Sequence, residues 1–229
     1  MTVFAATQLR IGRVEPIGSS QTLSGIAKKP VTGQIMARLD GFDGDEQADR
    51  KHHGGRNKAL HAYPAKHYQS WKQDLPDYAS QFHPGAFGEN LVIEGATETD
   101  LCLFDRFRLG AAELEISQTR QPCWKLNLRF DLPDMARRVQ ESGRTGWYFR
   151  VIREGAIAPG DKAQLIARPA PDWPLVRVWR LLYRDTLDYA ALVEFAALPD
   201  LPENWQRMIA ARLKRGAVED WEQRLAGQG

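Results

Sequence analysis

Cysteine is scarce: the 229-residue chain has two, Cys102 and Cys123. They form no CxxC pair, and two cysteines in a chain this long are not a disulfide framework, so a reducing compartment, the cytoplasm, is expected. The start, "MTVFAATQLRIGRVEP", lacks a basic leader followed by an apolar run and a small-residue cleavage site. No apolar run approaches a membrane-spanning length, which argues against a membrane partner. Charge of one sign is also missing. A formal net charge of +2 is too mild to argue for a nucleic-acid polymer as partner, because such a reader concentrates charge on one face. No iron–sulfur cysteine run and no dinucleotide fingerprint occurs, so the chain has no evident means of drawing electrons from NAD(P)H itself. Internal repeats and low-complexity tracts are absent as well.

What is present suits an ordinary soluble domain with a sizeable core, at 43% hydrophobic and 26% charged residues. Before residue 170, short apolar and β-branched runs alternate with Gly, Asp and Asn turns, as in "TGQIMARLDGFDGD" and "FGENLVIEG". Alternation predicts strands over residues 33–39, 91–93, 107–109 and 112–117. Residues 64–73 predict a helix with Pro64 in its first turn. Residues 131–143 predict another, capped by Asp134 and stopped by Gly143. Helices do not follow strands in regular alternation, so the expectation is a mainly β, barrel-like domain with α insertions over residues 1–168. "ARPAPDWP", residues 167–174, reads as a proline-studded linker. Beyond it, apolar stripes at three- and four-residue steps predict a small C-terminal three-helix domain over residues 172–226, with Trp221 and Leu225 in a short last turn. Trp179, Phe195 and Trp205 are expected to hold these helices together. Arg184, Arg207, Arg212, Lys214 and Arg215 are expected on the surface.

Two stretches could carry chemistry. In "QTRQPCWKLN", Cys123 lies between Arg120 and Lys125. Nearby cations lower a thiol pKa, which suits a thiolate held for chemistry or for a soft metal; a small buried residue is the plain alternative. Cys102, in the apolar run "DLCLF", reads as packing. In "GFDGDEQADRKHHGGRNKALHAY", adjacent Gly54 and Gly55 can turn successive N–H groups inward as an anion cradle, with Arg56 and Lys58 adding charge. A solvated turn is the bland reading. A zinc site using His52 or His53 with His61 matches no standard ligand spacing, and His67 and His83 read as structural. "SGIAKKP" adds Lys28 and Lys29, and "PGAFGENL" adds a Gly-rich loop ending in Glu89 and Asn90.

The order "SGIAK", "DGFDGDEQADRKHHGGRNKAL", "FGENL", "TRQPCWKL" resembles the MOSC family, named for the C-terminal domain of molybdenum-cofactor sulfurases, and most of all its stand-alone YiiM-like branch. The resemblance spans nearly the whole chain, and its most specific motifs are GD-x-Q followed by HGG, with R-x-P-C far downstream. It implies a MOSC β-barrel with an appended three-helix domain. It also implies the molybdenum cofactor (Mo-molybdopterin), with Cys123 as catalytic residue and molybdenum ligand. Lys28, Arg120 and Lys125 would be cations around that anionic group. His53, Gly54 and Gly55 match HGG, Asp45 lies in the preceding GD, and Ser24 and Asn90 fall on motif positions that would line the site. Pyridoxal phosphate binding is also associated with the family, and no residue here is assigned to it. The sequence departs at "LCLFDRF", where Phe104 replaces the family's usual glycine before Asp105; His52 is assigned no role.

The function implied is a molybdenum-dependent reductase of small N-hydroxylated compounds (hydroxylamino purines, amidoximes, N-oxides) that takes electrons from a separate flavin or iron–sulfur protein, as monomer or homodimer. The alternatives are a non-catalytic carrier of the cofactor or of persulfide sulfur on Cys123, and a Cys–His hydrolase built on Cys123 and His53. The helical tail would dock the electron donor, shape the substrate entrance or act as a stabilising lid.

Overall fold

In the computed structural model, which describes residues 2–49 and 54–227, seven strands close into a barrel. They are β1 (Thr2–Ile11), β2 (Leu60–Pro64), β3 (Leu91–Glu94), β4 (Arg106–Leu109), β5 (Ala112–Thr119), β6 (Trp147–Arg153) and β7 (Asp161–Ala167). The order around the wall is β7–β4–β5–β6–β2–β3–β1, and β1 pairs back onto β7. Neighbours are antiparallel except β2 and β3. A parallel pair cannot be joined by a tight turn. Its crossover supplies helix α1 (Ala65–Asp74) and the 3₁₀ turn Pro76–Gln81.

Strand alternation fills the barrel. Leu114 and Ile116 of β5 lie opposite Val151 and Phe149 of β6, and all four are buried. The Phe4 ring packs 5.0 Å from Phe107, which in turn meets Phe149 edge-on. Each such side chain contributes roughly 1.5–3 kcal/mol by leaving water. A second apolar cluster joins α1 to helices α2 (Lys125–Phe130) and α3 (Met135–Ser142), through Trp71, Phe82, Phe87, Phe130 and Val139. Gly143 stops α3 in the left-handed region as expected. Asp134 occupies the position before α3 but does not cap it: its carboxylate accepts from Arg138 Nε at 2.9 Å, while Asn127 Oδ1 takes the Ala136 N–H at 2.8 Å. Phe104 has φ +65°. That region favours glycine, so the family's usual residue there has a backbone reason, and burial of the Phe104 ring offsets the strain.

Among the described residues the tail has four helices: α4 (Leu175–Tyr183), α5 (Tyr189–Ala196), α6 (Glu203–Arg215) and the short α7 (Glu222–Ala226). None is long and apolar enough to cross a membrane. Residues 167–174 are not a loose linker. Ala170 and Trp173 are buried, Leu103 N–H donates to Trp173 O at 2.9 Å, and Leu175 N–H donates to Leu101 O at 2.9 Å. Trp173, Leu175, Val178, Phe195 and Trp205 share one apolar core with Leu101, Leu103 and Phe107 of the barrel. Prolines here set the path of a docked segment. Trp179 reaches out of the tail instead, donating to Gln140 O of α3 at 2.7 Å.

Arg212 is not a surface residue as expected; it is 1% exposed. Its guanidinium donates to Leu181 O at 3.1 Å and Leu182 O at 2.9 Å, and it pairs with Glu219. It thus satisfies carbonyls at the end of α4 that the helix leaves open. Arg212→Met should therefore cost about 3 kcal/mol, from orphaned carbonyls and an unpaired Glu219. Arg215→Ala, at an exposed position, should stay within about 0.5 kcal/mol of wild type. Urea unfolding of both variants checks this, and equal losses would refute it.

Candidate functional site

Strand β5 ends at Thr119, and the chain turns through residues 120–124 before α2 begins at Lys125. Leu126 N–H closes the turn on Cys123 O at 3.0 Å. Arg224 of α7 clamps the turn from outside, donating to Pro122 O at 2.6 Å, while Trp124 N–H donates to Arg224 O at 2.8 Å. Cys123 is thereby held half-buried at the mouth of the barrel. Cys102 is 4% exposed, its Sγ lies 3.5 Å from Pro171 O, and burial pushes its thiol pKa up.

Two cavities meet at Cys123. The inner one, about 80 Å³, is lined by Ser24, Lys28, His61, Asn90 and Arg120 among others. The outer one, about 770 Å³, is lined by Gly54, Gly55, Gln118, Trp124 and, from the tail, Glu203, Asn204 and Arg207. Asp49, Lys58, Cys123, Lys125 and Tyr148 line both. The predicted residues are therefore divided. Ser24, Lys28, Asn90 and Arg120 gather in the inner pocket, whereas Gly54 and Gly55 face the outer chamber and form no common cradle with them. His53 lies outside the described residues.

Asp45 lines neither cavity; it lies behind Lys28. Its carboxylate pairs with the Lys28 ammonium (Oδ2 at 2.6 Å) and accepts from Asn90 Nδ2 at 2.8 Å and Gly12 N at 2.7 Å. Both ion-pair side chains are almost fully enclosed. Burial lowers the Lys28 pKa, with Asp45 pulling the other way. Asn90 also accepts the His61 N–H at 3.1 Å and donates to Arg10 O at 3.1 Å. The glycine in "SGIAK" has a packing reason, since a Cβ on Gly25 would collide with the Glu46 carbonyl.

The remaining cations face the cavity. Burial lowers the Lys58 pKa, opposed by the nearby charges of Cys123 and Asp49. Arg120 is 6% exposed, and its Nη1 has no partner among the described residues. Burial raises the Tyr148 pKa, against the pull of Arg120. His61 is enclosed, with Nε2 at 3.4 Å from Thr145 O, and burial followed by Arg120 holds its pKa well below the usual histidine range. Among the described residues no cluster of three or more His, Cys, Asp or Glu could hold a metal.

Sequence reasoning missed Tyr148, Gln118, Asn204 and the role of His61. Tyr148 and Gln118 come to the site through strand register, and Asn204 through tail packing. No local motif marks them.

A closed barrel with a loop cysteine at its mouth and a helical tail packed on its side defines the class. Residues 49–164 match the MOSC domain, and residues 173–216 match the YiiM-like, 3-alpha helix domain. The chain is 37% identical to Protein YiiM of Escherichia coli (strain K12) over 208 residues, covering 90% of this chain and 91% of that one. It is 38% identical to the protein YflK of Bacillus subtilis (strain 168), covering 87% and 92%. A protein named Reductase from Gibberella moniliformis is 36% identical across 84% of this chain, which spans 34% of that protein. The crystal structure of YiiM from Escherichia coli superposes with a TM-score of 0.83 at 29% identity, covering 98% of this chain and 99% of that one. This chain belongs to the MOSC-domain family, in its YiiM-like branch.

The neutral, buried His61 carries a pH signature. Below the ordinary histidine pKa of 6.5, the unfolded chain takes up a proton that the folded chain refuses. Stability contributed by this site is therefore lost as pH falls below 6.5, with a slope of up to about 1.4 kcal/mol per pH unit. His61→Gln should flatten that part of the curve in urea melts between about pH 7.5 and 5.5. Parallel curves for the two proteins would refute the assignment.

Proposed function

We propose that this protein is a molybdenum-cofactor-dependent reductase of small N-hydroxylated compounds. The observation that supports it most is the placing of the Cys123 thiol where a cation-lined inner pocket opens into a large polar chamber. The residues fit an anionic, sulfur-ligated metal cofactor. A soft thiolate suits molybdenum beside dithiolene sulfur, and the unpartnered Arg120 Nη1 is a buried donor awaiting an anion. Ser24, Lys28, Asn90 and Arg120 would hold the cofactor's anionic end, with Lys58 and Lys125 adding charge near the thiolate. When bound, the cofactor supplies the two-electron chemistry that breaks the N–O bond, with two protons taken up and amine and water released.

This chain's own groups bind and orient. Lys28 reaches the pocket with its charge balanced by Asp45, and Arg120 and Lys125 add positive charge there. Tyr148 is kept protonated by burial and can donate a hydrogen bond on either side of the thiol. The tail closes one side of the chamber through α6, which favours a part in shaping the substrate entrance. With two cysteines the chain cannot build a Cys₄ iron–sulfur centre, so the proposal includes a separate flavin or iron–sulfur protein as electron donor. The Gibberella relative's name is in keeping with reductase chemistry.

The test uses protein made in a cofactor-competent host. Cys123→Ser should lose molybdenum and reductase turnover with an unchanged far-ultraviolet circular dichroism spectrum, because a hydroxyl is a poor soft-metal ligand. Cys102→Ser should keep both. A Cys123→Ser protein that retains metal and full turnover would sink the reading. A wild type that holds transferable cofactor or persulfide on Cys123 but reduces no N-hydroxylated substrate would favour the carrier.

A further inference from the structure

Four of the eight buried side-chain polar atoms without partners among the described residues lie on the segment just before Cys123. Both amide atoms of Gln118, the Thr119 hydroxyl and Arg120 Nη1 are enclosed and unpartnered among the described residues, on three successive positions. A fold leaves such groups unmade only at a cost in stability, so a run of them next to a cavity calls for a ligand. Arg120 faces the inner pocket and belongs to the cofactor reading. Gln118 lines the outer chamber and is 1% exposed.

Its position depends on a register shift. Leu114 and Ile116 point into the barrel, and continued alternation would send Gln118 inward after them. The pairing of β5 with β6 slips between Ile116 and Gln118, so Gln118 lies opposite Tyr148, which lines both cavities, while Thr119 takes the inward place opposite buried Trp147. Ser117 fixes the irregularity, its Oγ lying 2.6 Å from Asn57 O and 3.1 Å from Tyr148 O. Bulges next to functional sites re-aim side chains in this way.

A carboxamide offers one acceptor and a donor in a single plane. The complement is a planar edge that sets an N–H donor beside an acceptor, as adenine N6–H and N7 do when Gln reads that base. We propose that Gln118 is a specificity-determining residue of the outer chamber, giving one hydrogen bond to, and taking one from, the donor–acceptor edge of a neutral amidoxime-type or hydroxylaminopurine-type ligand, an amino N–H beside an oxime oxygen or a ring nitrogen. Trp124 in the same wall offers an aromatic face to such a plane, and Asn204 of α6 supplies a second carboxamide. The proposal rests on the reductase reading for its substrate class, but its ligand contact is independent of the metal.

The probes are neutral benzamidoxime and cationic benzamidine, titrated calorimetrically into the full chain alongside thermal melts without ligand. Gln118→Leu should bind benzamidoxime about tenfold more weakly, the loss of one paired donor and acceptor. It should melt no lower than wild type, because the orphaned amide is gone. Gln118→Glu should shift preference from benzamidoxime towards benzamidine, since a carboxylate only accepts and pairs with an amidinium. Benzamidoxime affinity unchanged within about twofold in both variants would overturn the proposal. So would a lowered melting temperature in Gln118→Leu with ligand preference unaltered in Gln118→Glu, which would mark a structural residue. A wild-type chain with full metal content that binds neither probe overturns this inference and leaves the cofactor reading standing. Binding through Gln118 in a chain that holds no molybdenum does the reverse.

Discussion

The enclosed pair of Lys28 and Asp45 is the constraint on which the inner pocket depends. An ammonium this deeply buried survives only with an opposite charge and full hydrogen bonding. Asp45 provides both, while its other bonds tie down the Gly12 amide and the Asn90 side chain. Arg10 holds the backbone of Lys28 from the other side, donating to its carbonyl from Nε at 3.2 Å and Nη2 at 2.9 Å. Segments far apart in sequence thus converge on one carboxylate: the end of β1, the loop after residue 42, and the entry to β3. The pair also sets the electrostatics. With Lys28 balanced, the pocket has a modest excess of positive charge, carried by side chains nearer the thiol.

Cys123 depends on the tail as much as on the barrel. Its turn is clamped by Arg224, whose Nη2 also reaches Gln140 Oε1 of α3 at 2.5 Å. Leu225 inserts into the cluster beneath α3. Together with the core shared across Trp173 and Leu175, these contacts make the tail part of the site's framework. A stabilising lid and a wall of the chamber are then one structure, because the helix that seals the core also presents Asn204 and Arg207.

Much of this was legible from local pattern. Cys123 between Arg120 and Lys125 is a short-range signal, and the fold preserves it because those residues lie on one turn and the helix that follows. Strands β3, β4 and β5 followed from alternation and α3 from its glycine stop. Strands β1, β2, β6 and β7 were not singled out, and the strand expected over residues 33–39 forms, as Ile35–Arg38, in a separate small sheet. Where the reading failed, the deciding contact was distant in sequence. Asp45 was expected to line the site and instead braces Lys28. Gly54 and Gly55 line the outer chamber with Arg56, Lys58 and Cys123, apart from Ser24, Lys28, Asn90 and Arg120. Asp134 lost its capping role to Asn127, and Arg212 was drawn inside by carbonyls that a helix end leaves open. Composition reported residues 167–174 as a linker because prolines look alike whether a segment is free or docked.

Both cavities present cations, and the outer chamber, lined also by Arg56, Arg207 and Arg224, adds the carboxamides of Gln118 and Asn204. Cations suit the inner pocket, because charge-assisted hydrogen bonds hold an anion strongly but discriminate little among anions. In the proposed reading the carboxamides of the outer chamber add discrimination, because leaving a buried donor or acceptor unmatched is what lets a site reject a near-isostere. The thiol lies where the two meet, so in the proposed reading a group anchored by charge on one side would face a ligand sorted by hydrogen-bond pattern on the other. The β5 irregularity is what separates the roles. Without it, Gln118 would fall inside an apolar barrel, and the wall of the chamber opposite the tail would lose its only carboxamide on that strand.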